Sequence, residues 1–132
     1  MKSLIPSKFF EFHSTRMEDG KPDAARRATE MQHLCEALEL KTVAGREALR
    51  IALENIKLLD NKQLDYGSRN ISGFATFGVV VRMNDKFERI KSLFNTGRRR
   101  RAINESILDS FKDISNYAII AEMLETGKWP NE

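Results

Sequence analysis

Residues 105–126 read ESILDSFKDISNYAIIAEMLET, and this stretch decides the fold class. Its large apolar side chains recur at every third or fourth position, which is the spacing of one face of an α-helix. The predicted core stripe of this helix contains Ile107, Phe111, Ile114, Ala118 and Ala121. Asn104 is the predicted N-cap, and Gly127 is the predicted stop.

Three further segments show the same helical spacing. The predicted helices cover residues 23–40, about 43–60 and 77–94. Thr42 is the predicted N-cap of the second helix, and Gly97 is the predicted end of the third. The apolar stripe of the third helix contains Val80, Met83, Phe87, Ile90 and Phe94. The polar segment 61–72 is long and chemically mixed, so we expect a functional loop there.

These patterns predict an all-α protein, a small four-helix bundle that forms a single domain over residues 1–132. Residues 1–21 are expected to form an irregular N-terminal arm that packs on the body. Trp129 is expected to pack as an anchor near the end of the chain. Cys35 is expected to be a small core residue, since a single cysteine excludes a disulfide framework within the chain.

The composition limits the classes of partner. The chain has 132 residues and a formal net charge of +3. The four arginines at 98–101 supply four of those positive charges, so the remainder carries a net charge of −1. Because nucleic-acid binders spread basic charge over a face, the sequence does not favour nucleic acid as a partner. No apolar run of about 18 residues is present, so we expect no membrane partner and a cytoplasmic location.

Two groups of carboxylates share helix faces. Asp85 and Glu88 lie three positions apart on the third helix, opposite its apolar stripe. On the last helix, Asp109, Asp113 and Asn116 follow one another at four and three positions, in line with Glu105. The C-terminal half of this helix is apolar on nearly all sides, which indicates burial. The sequence therefore predicts that Asp109, Asp113 and Asn116 line a cleft or a subunit interface.

Carboxylates in a partly dry cleft repel each other by roughly 4 kcal/mol per pair at 4 Å and an effective dielectric constant near 20. Protonation, a Lys or Arg partner, or a divalent metal ion could offset that repulsion. Mg²⁺ takes a few carboxylates together with phosphate oxygens and water. The simpler alternative is solvated carboxylates, with Asp85 and Arg89 as an ordinary i, i+4 salt bridge. The residues alone leave these alternatives open.

Three motifs resemble a known family. They are KQLDYG at 62–67, GVVVRMNDKFERI at 78–90 and DSFKDISNYA at 109–118. Together they are similar to the nucleotide modification associated domain 1 family, over about residues 45–125. This family is in turn similar to the MazG-like all-α nucleotide pyrophosphohydrolases, so the resemblance implies a MazG-like bundle.

The resemblance implies a Mg²⁺-dependent hydrolase, with Mn²⁺ able to replace Mg²⁺. Such an enzyme converts a (deoxy)nucleoside triphosphate into the monophosphate and pyrophosphate, and in phage it adjusts the nucleotide pool. The resemblance also implies a homodimer or homotetramer. The implied metal ligands are Asp85, Glu88, Asp109 and Asp113. The implied catalytic residues are Asp85, Asp109, Asp113 and Lys86.

The implied nucleotide-binding residues are Lys62, Asp65, Tyr66, Asn70, Arg82, Arg89 and Asn116. Of these, Arg82 and Arg89 would stabilise the charge on the triphosphate together with Lys86. Tyr66 and Asn70 would contact the base or the sugar.

Two other functions stay open. The first is a non-catalytic nucleotide-binding protein on the same scaffold, which sequesters a nucleotide signal or assists base modification. The second is an adaptor that binds nucleic acid through the arginines at 98–101.

Overall fold

The structure, a computed structural model, describes residues 23–98 and 105–130. In this part of the chain five helices and no strands are present, so the all-α prediction is confirmed. The helices are α1 (Ala24–Ala37), α2 (Val43–Tyr66), α3 (Arg69–Ser72), α4 (Ala75–Asn95) and α5 (Ile107–Glu125). Among these helices, none combines the length and the apolar character that crossing a membrane would require. The predicted arm, the predicted N-cap at Asn104 and the arginines at 99–101 lie outside the described residues.

The helix ends follow simple capping chemistry. The hydroxyl of Thr42 accepts a hydrogen bond from the backbone N–H of Gly45 at 2.9 Å, which confirms the predicted cap of α2. Ser106 caps α5, where its side chain accepts from the backbone N–H of Asp109. Gly97 follows the end of α4 with a φ of +65°, a conformation that glycine adopts without steric cost.

The loop predicted over 61–72 is wrong in its first half. α2 continues to Tyr66, because the segment from Lys62 to Tyr66 contains no helix-breaking residue. Gly67 follows the last residue of the helix and has a φ of +66°. The short helix α3 then occupies most of the remaining segment. The polar side chains of the first half therefore project from a rigid helix rather than from a loop.

The chain divides into two compact units, with the boundary after Ala52 in α2. In the first unit, α1 and the start of α2 are described, and Cys35 is buried as expected. The second unit contains the rest of α2 together with α3, α4 and α5. In this unit α4 and α5 form the most extensive helix pair. The prediction of a single domain stays a prediction.

The core of the second unit joins helices that are distant in sequence. Its buried members are Ile71, Val79, Ile120 and Trp129. Val79 is only 1% exposed. The indole N–H of Trp129 donates to the backbone carbonyl of Ser68 at 3.3 Å, so Trp129 is an anchor as predicted. This contact fixes the segment after α5 against the start of α3.

The predicted core stripes of α4 and α5 are wrong in part. In α5, Phe111 is 49% exposed, whereas Ser110, Asp113 and Asn116 are buried. In α4, Val79 is buried in place of its neighbour Val80. The buried positions in the first half of α5 are thus polar, because these groups find partners on other helices, whereas Ile120 in the second half belongs to the apolar core. Helical spacing alone could not distinguish these polar positions from the apolar side, since both repeat with the same period.

Replacing the anchor tests the core. Trp129→Ala should lower the free energy of unfolding by about 3 kcal/mol or more, the usual cost of removing a buried aromatic side chain. Urea unfolding followed by far-UV circular dichroism measures this change without needing the tryptophan itself. Leu64→Ala is the matched control, since Leu64 is exposed and its loss should cost less than about 0.5 kcal/mol. Equal losses in the two variants would contradict the assigned core.

Candidate functional site

A cavity of about 350 Å³ lies among the helices of the second unit. This volume is within the range that small-molecule sites occupy. Its polar and charged lining residues are Lys62, Gln63, Asn70, Arg82, Lys86, Asp113 and Asn116. Its aromatic lining residues are Tyr66, Tyr117 and Trp129, and Leu59, Ile71 and Ile120 complete the apolar wall. The cavity therefore combines convergent charges with flat apolar surfaces.

Asp113 makes the central contacts of this cavity. The residue is only 9% exposed. Its Oδ1 accepts a hydrogen bond from Lys62 Nζ at 2.8 Å, and its Oδ2 pairs with Lys86 Nζ at 2.8 Å. One buried carboxylate thus joins α2, α4 and α5. Of the three ways to stabilise a carboxylate in a cleft, this structure uses lysine partners.

A second carboxylate extends the cluster away from the cavity. Lys86 Nζ also donates to Glu105 Oε1 at 3.0 Å and to Oε2 at 3.4 Å. Arg89 Nε lies 3.7 Å from Glu105 Oε2, and its Nη1 donates to the hydroxyl of the fully buried Ser110 at 2.6 Å. The ordinary salt bridge between Asp85 and Arg89, which the sequence left open as the simpler alternative, is not formed among the described residues, because Arg89 contacts Glu105 and Ser110.

The cluster is electropositive. Arg82 is counted in the cluster because it lines the same cavity. Its Nη2 donates to the backbone carbonyl of Asn70 at 3.1 Å. Four cationic side chains, Lys62, Arg82, Lys86 and Arg89, face two carboxylates, Asp113 and Glu105, which leaves a net charge of +2. A positive region with low-dielectric walls attracts anions.

The two central groups have shifted pKa values. Burial acts to raise the pKa of Asp113, but the hydrogen bonds and charges of Lys62 and Lys86 outweigh burial and hold it below its ordinary value. Burial acts to lower the pKa of Lys86, but its bonds to Asp113 and Glu105 outweigh burial and raise it. Both groups are therefore charged at neutral pH.

Asn116 presents a buried acceptor at the cavity wall. The residue is 5% exposed, and its Nδ2 donates to the backbone carbonyl of Asn55 at 2.9 Å. That bond fixes which end of the amide is the oxygen, because a flipped amide would place two acceptors together. Among the described residues, no group donates to Asn116 Oδ1. A buried acceptor without a donor costs about 1–3 kcal/mol. This oxygen has almost no accessible surface, so a molecule in the cavity does not reach it in this conformation.

The structure brings together seven of the predicted site residues around the cavity: Lys62, Tyr66, Asn70, Arg82, Lys86, Asp113 and Asn116. Five others do not line it: Asp65, Asp85, Glu88, Arg89 and Asp109. Asp65 and Asp85 are exposed, and Glu88 pairs with Lys91 on the outer surface of α4. The predicted nucleotide-binding role of Asp65 finds no supporting contact here.

Asp109 has a local structural role instead of the predicted place in the cleft. Its Oδ2 accepts from the backbone N–H of Ser106 at 2.9 Å and from the Ser106 hydroxyl at 2.7 Å. With the reciprocal bond from its own N–H, these contacts form a capping box at the start of α5. Hydrogen bonds from Ser106 also hold the pKa of Asp109 below its ordinary value. The sequence signal was present, since Ser106 and Asp109 have the spacing of a capping box.

The carboxylates of one chain do not fit the predicted Mg²⁺ site. In residues 23–98 and 105–130, no group of three His, Cys, Asp or Glu side chains lies close enough to hold a metal ion. Each oxygen of Asp113 is already bound by an ammonium group, and Oδ2 of Asp109 is engaged in the helix cap. The Mg²⁺ and Mn²⁺ expectation stays a prediction.

Sequence reasoning missed several cavity residues. Gln63 donates to the hydroxyl of Ser68, which is almost fully buried. Trp129 was predicted as an anchor but not as part of the cavity wall. No sequence signal identifies it, because it meets Ser68 across 61 positions of the chain.

Comparison with known proteins supports the family resemblance. The model of the family described as nucleotide modification associated domain 1 matches residues 62–124. The resemblance noted from the motifs is thus confirmed over this segment, which starts at Lys62 and includes Asp113. No match was found among the curated proteins or among the solved structures. The MazG-like type stays a prediction.

Acid should weaken the fold through Asp113. Because its pKa is lower in the folded state, its stabilising contribution is complete above the unfolded value, near pH 4, and is lost as the pH falls through the folded value. Urea midpoints should therefore fall between pH 6 and pH 3, and less so in Asp113→Asn. Asp85→Asn, which removes an exposed carboxylate, should follow the unmodified chain. An unchanged pH response in Asp113→Asn would contradict this assignment.

Proposed function

We propose that the cavity of the second unit binds a nucleotide. The observation that carries this proposal is the convergence of the Lys62 and Lys86 ammonium groups on one buried point of the cavity. Ammonium groups that meet in a partly enclosed site suit a phosphate. The words "nucleotide modification associated" in the family description also support a nucleotide as the ligand.

The walls of the cavity suit the rest of a nucleotide. Tyr66, Tyr117 and Trp129 offer flat surfaces on which a base can stack. Arg82 supplies a further cation at the wall, where its Nη2 donates to the backbone carbonyl of Asn70. These features support the non-catalytic nucleotide-binding protein that the sequence left open.

Binding can be measured through the fluorescence of Trp129, the only tryptophan in the chain. The ligands are the four deoxynucleosides and their 5′-mono-, di- and triphosphates. Phosphorylated ligands should bind at least tenfold more tightly than the matching nucleosides, and their affinity should fall as salt rises. Failure of every phosphorylated ligand to bind, or equal affinity for nucleosides, would exclude this function.

Removing one central ammonium should weaken nucleotide binding. Lys86→Met deletes a charge-assisted contact worth about 1.5–3 kcal/mol, so the Kd should rise tenfold or more. The matched control is Lys91→Met on the same helix. Lys91 is exposed and pairs with Glu88 outside the cavity, so its loss should change the Kd less than twofold. Equal effects would indicate attraction by overall charge rather than a defined site.

The Mg²⁺-dependent pyrophosphohydrolase is the second candidate. One observation favours it: Asp113, one of its implied ligands, lies in the same cavity as the cationic side chains. Its test is pyrophosphate release from deoxynucleoside triphosphates with Mg²⁺ or Mn²⁺. Release that Asp113→Ala abolishes would support hydrolysis. Tight binding without release would support the non-catalytic protein.

A second copy of the chain is the proposed partner, as the resemblance implies. The support in the structure is an apolar groove of about 360 Å³ whose lining includes Phe74, Phe77 and Val81. Phe77 is 75% exposed. Light scattering on a size-exclusion column should give a dimer or tetramer mass. Phe77→Lys should shift that mass towards the monomer, and a monomeric parent chain would exclude the proposal.

A further inference from the structure

The Asp113 carboxylate occupies the position of a bound anion. Each of its two oxygens contacts a different ammonium group, and both Nζ–Oδ distances are 2.8 Å. Two of the oxygens of a phosphate could accept the same pair of hydrogen bonds. The chain thus places its own carboxylate at the position between Lys62 and Lys86 where a phosphate would form its strongest hydrogen bonds.

Both anions cannot share this position. Lys62 and Lys86 supply two positive charges at the point of convergence, where Asp113 already balances one of them, and Glu105 pairs with Lys86 from outside the cavity. A phosphate beside an unmoved Asp113 would meet a like charge in a partly enclosed site, where such repulsion is strong. The incoming group therefore has to outcompete the carboxylate.

We propose that the terminal phosphate of the ligand replaces the Asp113 carboxylate between Lys62 and Lys86, and that Asp113 thereby selects phosphomonoesters over phosphodiesters. This inference rests on the proposed nucleotide-binding function. Asp113 is tethered to the chain, so its effective concentration at the two lysines is high. A singly charged anion that replaces the Asp113 carboxylate would interact with the two lysines no more strongly than the carboxylate does, so it would gain little binding free energy. A phosphomonoester brings a charge of about −1.5 to −2 and three acceptor oxygens.

The surroundings permit this exchange. Lys86 remains paired with Glu105 at 3.0 Å when Asp113 leaves, so its ammonium group keeps its place. The side chain of Lys62 is 47% exposed, so it can adjust to a larger anion. Glu105 does not line the cavity and cannot substitute for Asp113 there. The ligand class is therefore a free nucleotide with a terminal phosphate, not a cyclic nucleotide or an internal phosphate of an oligonucleotide.

The experiment compares two ligands that differ by one charge. They are the tightest-binding of the four deoxynucleoside 5′-monophosphates and its phosphate monomethyl ester, which is a singly charged phosphodiester. The intact chain should bind the monoester at least tenfold more tightly. Asp113→Asn should bind both ligands more tightly and should gain more for the methyl ester, so that the ratio falls below threefold.

Glu122→Gln is the matched control, because it removes one negative charge from an exposed position of the same helix that does not line the cavity. Its ratio between the two ligands should stay above tenfold. A loss of preference in Glu122→Gln equal to that in Asp113→Asn would mean that net charge alone sets the preference, and this would overturn the inference. Weaker monoester binding by Asp113→Asn would also overturn it, since Asp113 would then position the lysines.

A measurement on the intact chain covers the case in which Asp113→Asn does not fold. The ¹³C resonance of the Asp113 carboxyl carbon should shift when the monophosphate is added and stay in place when the nucleoside is added. An unmoved resonance under saturating monophosphate would overturn the inference while leaving nucleotide binding intact. If no phosphorylated ligand binds to the intact chain or to Asp113→Asn, the proposed function fails together with the inference.

Discussion

The second unit depends on one carboxylate held between two ammonium groups. Asp113 on α5 takes one hydrogen bond from Lys62 on α2 and an ion pair from Lys86 on α4. The desolvation of a buried carboxylate is costly unless both of its oxygens are paired. Each of the three helices must therefore stay in register for the pairing to survive. The lysines of this contact also line the cavity together with Arg82, so the groups that pack the helices are the ones that make the cavity electropositive.

The fold class could be predicted because it depends on local chemistry. Helical spacing, the Thr42 cap and the Gly97 stop act within a few residues, and the structure contains all of them. The side of α5 that faces inward could be predicted only in part, since the helical pattern placed Asp113 and Asn116 in a cleft but also placed Phe111 in the core. Phe111 lies on the more exposed side, while Asp113 and Asn116 are buried because partners from α2 and α4 reach them. Those partners are distant in sequence, so the periodic pattern contains no trace of them.

The candidate site, too, could be predicted from the sequence only in part. The motifs that resemble the family contain Lys62, Lys86 and Asp113, and the structure places these side chains in direct contact. Sequence reasoning named them but expected Asp113 to face a metal ion together with Asp109. In the structure the buried carboxylate of Asp113 contacts two lysines, and the half-buried Asp109 caps its own helix. Charge pairing across helices needs coordinates, whereas a capping box needs only the sequence.

Trp129 has a consequence for how this domain is delimited. The family match ends at residue 124, yet the indole that closes one wall of the cavity lies five positions beyond it. The hydrogen bond from Trp129 to the backbone carbonyl of Ser68 holds the segment after α5 against the cavity. A recombinant fragment trimmed to the matched boundaries would keep every charged group, Tyr66 and Tyr117, and would lose the indole of Trp129. The cavity therefore depends on residues beyond the segment that the family model matches.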